Sequence, residues 1–507
     1  MNSYESSNSL IRPQSRAKGF ILIAGVRVLA LCLTMLIYSL LTIELITDNQ
    51  GLGASTILLL GYLYAEARNL WARESSLFWI NPVVLASIIT FVMAFGVTNL
   101  LYFFPEDVLT LLRLEPNATP WMNQIMLLVI LGAISMWVGY SSTMGLNMGM
   151  MLQRSRVLRK WISPSLRINK PVLYACLSIS IGAKLWAIKL GVYGYSSSYD
   201  LMIEAASYTQ YFAVADSLGK LALVVVAMQC FSSPSSALVD RQLLWLLLGY
   251  EVAFGFLSGM KSAVVIPFVI VGIVYYSQRN RFPRWFIPAV VFGLMAAYAV
   301  ITPFRAARNQ DAGFDGKSLG SIVSTISSSS NPNEMDDGDS ASTTLSILTR
   351  INQTYIASLG VEYAANHEEL PVGSPEFLNN IILAPAHALI PRFLWDSKPL
   401  ETNGLWYTNE VLGLDFVSST AMSPFTYLNF AGGPFAIILG FLAVGILQRG
   451  LFDGLQHFGA GGLIVFLGLL GGLVGIDNSF NNFFISLIRY IPMLVVAQYL
   501  LLLRLCR

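Results

Sequence analysis

The sequence predicts an all-α polytopic membrane protein, and three observations lead there. Hydrophobic residues make up 55% of the 507-residue chain and charged residues only 12%, about half the share usual in soluble proteins. The mean hydropathy is +0.61. Apolar runs of about 20 residues, the length a helix needs to cross the hydrocarbon core, recur along almost the whole chain. This composition excludes a soluble enzyme, a nucleic-acid-binding domain and a disordered scaffold.

About twelve membrane-spanning helices follow from those runs, at 20–43, 52–70, 80–104, 123–146, 171–192, 210–231, 242–258, 262–278, 284–303, 431–448, 460–477 and 483–503. They divide the chain into an N-terminal bundle of about nine spans (1–303), a large loop (304–430) and a C-terminal bundle of about three (431–507). The spans 242–258 and 262–278 are joined only by Ser258-Gly-Met-Lys261, which reads as a tight external turn or a re-entrant feature.

Orientation follows from the Lys/Arg bias of the short loops. Arg12, Arg16 and Lys18 precede the first span. Arg154, Arg156, Arg159, Lys160, Arg167 and Lys170 follow the fourth. Arg279, Arg281 and Arg284 follow the eighth, and Arg504 and Arg507 follow the last. With alternating spans all of these fall on one side, so both termini are expected in the cytoplasm.

The large loop is then external. Its 311–343 stretch, rich in Ser, Gly, Asn and Asp, reads as mobile. Its 345–424 part has helical periodicity over Leu345–Ala365 and is dense in aromatics, Pro, Gly and polar groups over Pro371–Pro424. That is the composition of an ordered loop resting on the membrane, and such loops usually carry function. The acidic run Asn333–Asp339 lacks the spacing of a calcium loop and reads as solvated linker. The four cysteines lie in or beside apolar runs without metal-ligand spacing, so no metal site is expected.

Basic residues on the external side run against the positive-inside bias. Lys184, Lys189 and Lys220 lie within spans, and Lys261 lies in the short turn. Arg305 and Arg308, in Thr302-Pro-Phe-Arg-Ala-Ala-Arg308, are three apart and share a helical face. Arg350, Arg392 and Lys398 are in the large loop, and Arg489 is a few residues into the last span. Each intramembrane cation costs roughly 2.5–3.5 kcal/mol to insert, so such residues commonly serve function. The plainer explanation is pairing with nearby acids: Asp216 with Lys220, and Glu251 or Asp477 with Arg489. Pairing accounts poorly for the whole set, because external bases outnumber the intramembrane acids. A cationic pocket at the external leaflet calls for an anion, and arginine grips phosphate with a planar fork.

The most distinctive string is Leu389-Ile-Pro-Arg-Phe-Leu-Trp-Asp-Ser-Lys-Pro-Leu400, which holds Arg392 and Lys398 between prolines with Trp395 between them. The Ile-Pro-Arg…Trp…Lys-Pro pattern resembles that of bacterial oligosaccharide repeat-unit polymerases, the Wzy-type O-antigen and exopolysaccharide polymerases. So do the Ser-Gly-x-Lys turn at Ser258–Lys261 and the large external loop two-thirds along the chain. The family string more often carries Pro-Asp before the Lys, where this chain has Asp396-Ser397.

The resemblance implies a multi-pass enzyme of the bacterial inner membrane. It would transfer a growing glycan from undecaprenyl diphosphate onto an incoming lipid-linked repeat unit. The lipid-linked oligosaccharide would be its substrate, membrane lipid its surroundings and a chain-length regulator a candidate partner; no nucleic acid and no cofactor are expected. Arg305, Arg308, Arg392, Lys398, Lys261, Arg489 and Trp395 would bind diphosphate and sugar. Cations there stabilise the charge that builds on the leaving diphosphate. The acceptor hydroxyl must lose a proton, so a base is needed. Glu401 and His387 are the preferred candidates, ahead of Glu376 and Asp396. Plainer roles exist for these residues. Arg392 and Trp395 also suit an interfacial belt, and His387, among Ala and Pro, also suits a packed loop. The rival functions are an O-antigen ligase-like transferase and, in another class, a flippase for lipid-linked oligosaccharide. A transporter should show two related halves, and the sequence shows no clear repeat.

Overall fold

The computed structural model describes residues 13–75, 77–99, 118–162, 166–194, 199–232, 238–310, 352–390, 392–395, 398, 403–414, 420–476 and 480–502, with side chains from Ile23 onward except in 199–207, 209, 302–310 and 393. Each of the twelve expected stretches carries a helix. Among the described residues eight helices are long and apolar enough to cross a membrane, and the chain is an all-α polytopic membrane protein. Among the described residues there is no β-strand, and the isolated bridge between Ile168 and Leu502 is the extended pairing found.

The chain order is α1 (Pro13–Thr42), α2 (Asp48–Glu74), α3 (Pro82–Ala86, continuing as a π-helix over Ser87–Gly96) and α4 (Thr119–Ser141). Next come α5 (Thr143–Arg154), α6 (Arg156–Trp161), α7 (Lys170–Lys189), α8 (Tyr199–Ser232) and α9 (Leu238–Leu257). Then follow α10 (Lys261–Arg279) and α11 (Phe286–Gln310). The loop region contributes α12 (Gln353–Asn366), α13 (Phe377–Ile382), α14 (Ala384–Leu389) and α15 (Asn403–Trp406, running into a π-turn over Tyr407–Val411). The C-terminal helices are α16 (Pro424–Gln456), α17 (Gly459–Val474) and α18 (Phe480–Leu501).

Local chemistry sets the helix starts. Thr47 and Gln50 form a reciprocal capping box at α2. Asn81 caps α3 ahead of Pro82, and Ser423 caps α16 ahead of Pro424, where proline loses nothing by lacking an N–H. Ser142 is extended and caps α5 by accepting from Gly145 N at 3.2 Å.

Two boundaries differ from the sequence expectation, and a third settles between its alternatives. The fourth span does not give way to a plain loop, because Ser142 starts α5. Gly145 and Gly149 then let that helix lie against Arg449 and Asp453 of α16. The tenth span begins at Pro424 rather than 431. Gly432 and Gly433 break the helix, the latter with φ +64° and ψ −154°, a conformation open to glycine alone. In the sequence Gly-Gly-Pro reads as a helix end; here helix continues on both sides. The 258–261 link is a tight turn, closed by Gly259 at φ +64°.

The bundle is knit around α4 and α16. A Cβ on Gly139 would collide with the Leu442 carbonyl, and one on Gly445 with the Met136 carbonyl, so the two backbones touch. Small residues at helix contacts are the usual device in lipid, where packing rather than water expulsion drives association. Phe425, Phe441 and Phe91 fill the space beside this contact, with Phe425 and Phe441 stacked at 4.7 Å.

The two faces of the bundle are identified by contacts between distant segments. Asn169 N donates to Leu501 O at 2.7 Å and Lys170 pairs with Asp240 at 3.8 Å, placing the chain's C-terminal end, the start of α7 and the start of α9 on one face, the terminal face. Ala384 and Ala388 of α14 pack on Ile485 near the start of α18, so the large loop lies on the opposite, loop face.

Candidate functional site

On the loop face, the chain between 373 and 410 encloses a cavity of about 550 Å³. Its walls come from the turn Gly373–Glu376, helix α13, the end of α14, the turn at Trp395, and α15. The lining is rich in side chains that hydrogen-bond and stack: Glu376, Asn379, Asn380, His387, Trp395, Asn403, Trp406, Asn409 and Glu410. Glu376 Oε2 accepts from Asn379 Nδ2 at 2.6 Å. Trp406 is held by rings, with Phe377 at 5.6 Å, Phe430 at 5.7 Å and Tyr363 at 6.1 Å between centroids. Phe377 stacks on Phe430 at 5.1 Å and its carbonyl accepts from the Tyr427 hydroxyl at 3.2 Å. The loop is thus anchored to the first half of α16, on the near side of the Gly432–Gly433 break.

His387 is the focus of the site. It is 5% exposed, lies in the last turn of α14 and leans on Trp395 at 5.4 Å between ring centroids. Its Nε2 is buried and finds no hydrogen-bond partner among the described residues, a situation with a real free-energy cost that a ligand hydroxyl would relieve. Burial, and then the nearby Lys398 charge, lower its pKa from the usual 6.5. The imidazole is therefore neutral at neutral pH, with a lone pair available to accept a proton.

The cations expected at this site divide by geometry. Lys398 Nζ donates to the carbonyls of His387 (2.7 Å) and Ile390 (2.9 Å), and Arg489 Nη2 donates to the His387 carbonyl at 3.4 Å. Both cap the C-terminal end of α14, where positive charge meets the unsatisfied carbonyls. Lys398 also closes the turn from Ile390 onward, in which Trp395 N donates to Arg392 O at 3.0 Å. His387, Trp395, Lys398 and Arg489 are thus brought together. Arg392 is half-buried one short turn before Trp395, outside the cavity lining. Lys261 stands apart, its Nζ 3.4 Å above the Tyr298 ring. Arg305 and Arg308 fall in the last turns of α11, but their side chains lie outside the described residues, as do Glu401, Asp396, Asp477 and Arg350.

The intramembrane lysines belong to a different group. Lys184 Nζ bonds Glu251 at 2.9 Å and Asp216 at 3.1 Å, and Lys220 bonds Asp216 at 2.6 Å. The Asp216–Lys220 pairing matches the plainer sequence explanation. Glu251, however, holds Lys184 rather than Arg489, because α7 and α9 meet across α8. Two acids and two bases neutralise one another there, which removes Lys184 and Lys220 from any anion site.

Sequence reasoning missed Glu410, Trp406 and the asparagines of the cavity. The signal was Trp406, Asn409 and Glu410 at i, i+3 and i+4, which puts them on one helical face. It also missed two ion clusters toward the terminal face: Arg27 with Glu66 (2.6 Å), and Arg449 with Glu74 (2.8 Å) and Asp453 (2.5 Å). No protein-family model, no curated protein and no solved structure matches the chain.

Proposed function

We propose that this protein is a membrane glycosyltransferase that polymerises undecaprenyl-diphosphate-linked oligosaccharide repeat units at the outer leaflet of the bacterial inner membrane, with both termini in the cytoplasm. One observation carries the reading: a loop-face cavity walled by Asn, Trp and Glu side chains and by His387, a buried neutral imidazole whose Nε2 has no partner among the described residues. Indole faces and amide groups are the surfaces on which sugar rings stack and hydroxyls bond. The Wzy-like motif supplies two of the lining or framing residues, Trp395 and Lys398.

The cavity takes the acceptor sugar. His387 Nε2 accepts the proton of the acceptor hydroxyl as its oxygen bonds to the anomeric carbon of the donor glycan. The bond from that carbon to the undecaprenyl diphosphate breaks, and the diphosphate leaves as an anion. Arg392, with Arg305 and Arg308 at the end of α11, meets that anion. A positioned base contributes about 10²–10⁴-fold to such a step. Lys398 and Arg489 act indirectly, by fixing the end of α14 and so the imidazole.

The glycan profile of a deletion strain, compared on a gel with the strain complemented by the wild type, tests the class of reaction. A surviving single repeat unit with the polymer ladder lost supports the polymerase. Free polymer that never reaches its acceptor shows a ligase-like transferase instead. Repeat units trapped in the cytoplasm show a flippase and remove the assignment to His387.

A further inference from the structure

A second cavity, of about 420 Å³, opens on the terminal face between the end of α8, the start of α9 and the end of α10. Its floor is apolar, with Leu244, Leu248 and Val271. Trp245 and Trp285, 66% and 37% exposed, flank it. Arg241, Arg279 and Arg281, all exposed, complete the lining, which contains no acid. The neighbouring acid, Asp240, is buried and already engaged by Gln229 Nε2 at 3.0 Å and Lys170 Nζ at 3.8 Å. The face is opposite the loop cavity, since Asp240 and Lys170 lie with Leu501 at the far end of α18.

We infer that this cavity is a binding site for an anionic phospholipid, with the phosphate held by the arginine cluster and the acyl chains lying along the Leu244–Trp245–Leu248 face. Three guanidinium groups within one lining offer planar forks to phosphate oxygens. Basic pockets between helices at a membrane surface suit anionic headgroups. The apolar floor selects against a free anion, which would leave Leu244, Leu248 and Val271 uncovered. Exposed indoles at a basic rim sit at headgroup depth. A net negative charge on the lipid matters, because a zwitterionic headgroup brings its own cation toward the arginines. The bound lipid spans α8, α9 and α10 and so ties these helices together.

The test uses the full-length protein in detergent, titrated by native mass spectrometry with phosphatidylglycerol, with phosphatidylcholine of the same chains, and with inorganic phosphate alone. Phosphatidylglycerol is expected to bind at least tenfold tighter than phosphatidylcholine. The R279Q/R281Q double variant should weaken it roughly 25-fold, about fivefold for each arginine near the surface, without moving phosphatidylcholine. Both side chains are exposed, so folding is preserved; R279K/R281K, which keeps the charge, should lose far less and controls for misfolding. Equal affinity for the two lipids, an unchanged R279Q/R281Q variant, or displacement of phosphatidylglycerol by millimolar phosphate at equal affinity would each overturn the site.

Discussion

At the scale of single residues, the loop site turns on one imidazole and the groups that hold it. His387 has its pKa lowered by burial and by Lys398, and this fixes the sign of two pH effects. Below about pH 6.5 the unfolded chain takes up a proton that folded His387 resists, so acidification destabilises the loop; above that pH both states are neutral and this group contributes no slope. For activity, the base form persists into mild acid, so the acid limb of the rate profile should fall below pH 6.5. A limb at or above that value in a reconstituted polymerisation assay would contradict the shift. Arg392→Ala should cost roughly 10²–10³-fold in polymer formed, the scale of one lost transition-state donor, with membrane protein level unchanged by immunoblot. Arg392→Lys should restore only part, because a point charge cannot reproduce the fork; full activity with Lys would remove the bidentate role. Glu410→Gln tests a carboxylate on the cavity wall. With His387 as base, Glu410 binds sugar hydroxyls, so Glu410→Gln should raise KM more than it lowers kcat.

At the scale of elements, two contacts carry the bundle, and each predicts a distinct failure. Gly445→Ala drives a methyl into the Met136 carbonyl at the α4–α16 crossing. Overpacking of this kind costs about 1–3 kcal/mol or more, and it should lower the melting temperature in detergent and the yield of monodisperse protein. The same change at Gly61, where a Cβ meets nothing within 4 Å, should leave both unchanged. In the Lys184 cluster, Lys184→Met strands Glu251 while Asp216 keeps Lys220, and removing one partner of a buried pair costs about 3–5 kcal/mol. Lys220 is 41% exposed at the side chain, so Lys220→Ala should cost under about 1 kcal/mol. A thermal-shift comparison of the two variants separates them, and equal shifts would mean that the cluster is solvated rather than buried.

At the scale of the whole molecule, the sequence discloses the parts governed by local composition and hides the parts assembled from a distance. Helix positions follow from hydropathy, since a span must bury every backbone group within itself, and the helices lie where the apolar runs are. The motif at Arg392–Lys398 lies beside the loop-face cavity, and two of the residues that line it, His387 and Trp395, were legible in the sequence. The cavity itself was not legible, because it joins Glu376, His387, Trp395 and Glu410 from four separate segments, and one sequence gives no spacing rule for such a meeting. The same holds for Arg449, whose partner Glu74 lies 375 residues away. The contacts of Lys398 were hidden for a related reason. Its charge suggested an anion, whereas among the described residues its Nζ donates to the carbonyls of His387 and Ile390, which close the helix that carries the imidazole. The break at Gly432–Gly433 hid the first half of α16, the support on which the site's aromatic wall rests.

If His387 removes the acceptor proton in the loop-face cavity, the glycan ladder made by His387→Ala in a deletion strain, at membrane protein levels matched to the wild type, will register its loss. The proposed role predicts that the ladder collapses to a single repeat unit, with rate loss of about 10²–10⁴-fold in the reconstituted reaction. A full-length ladder from His387→Ala would contradict it.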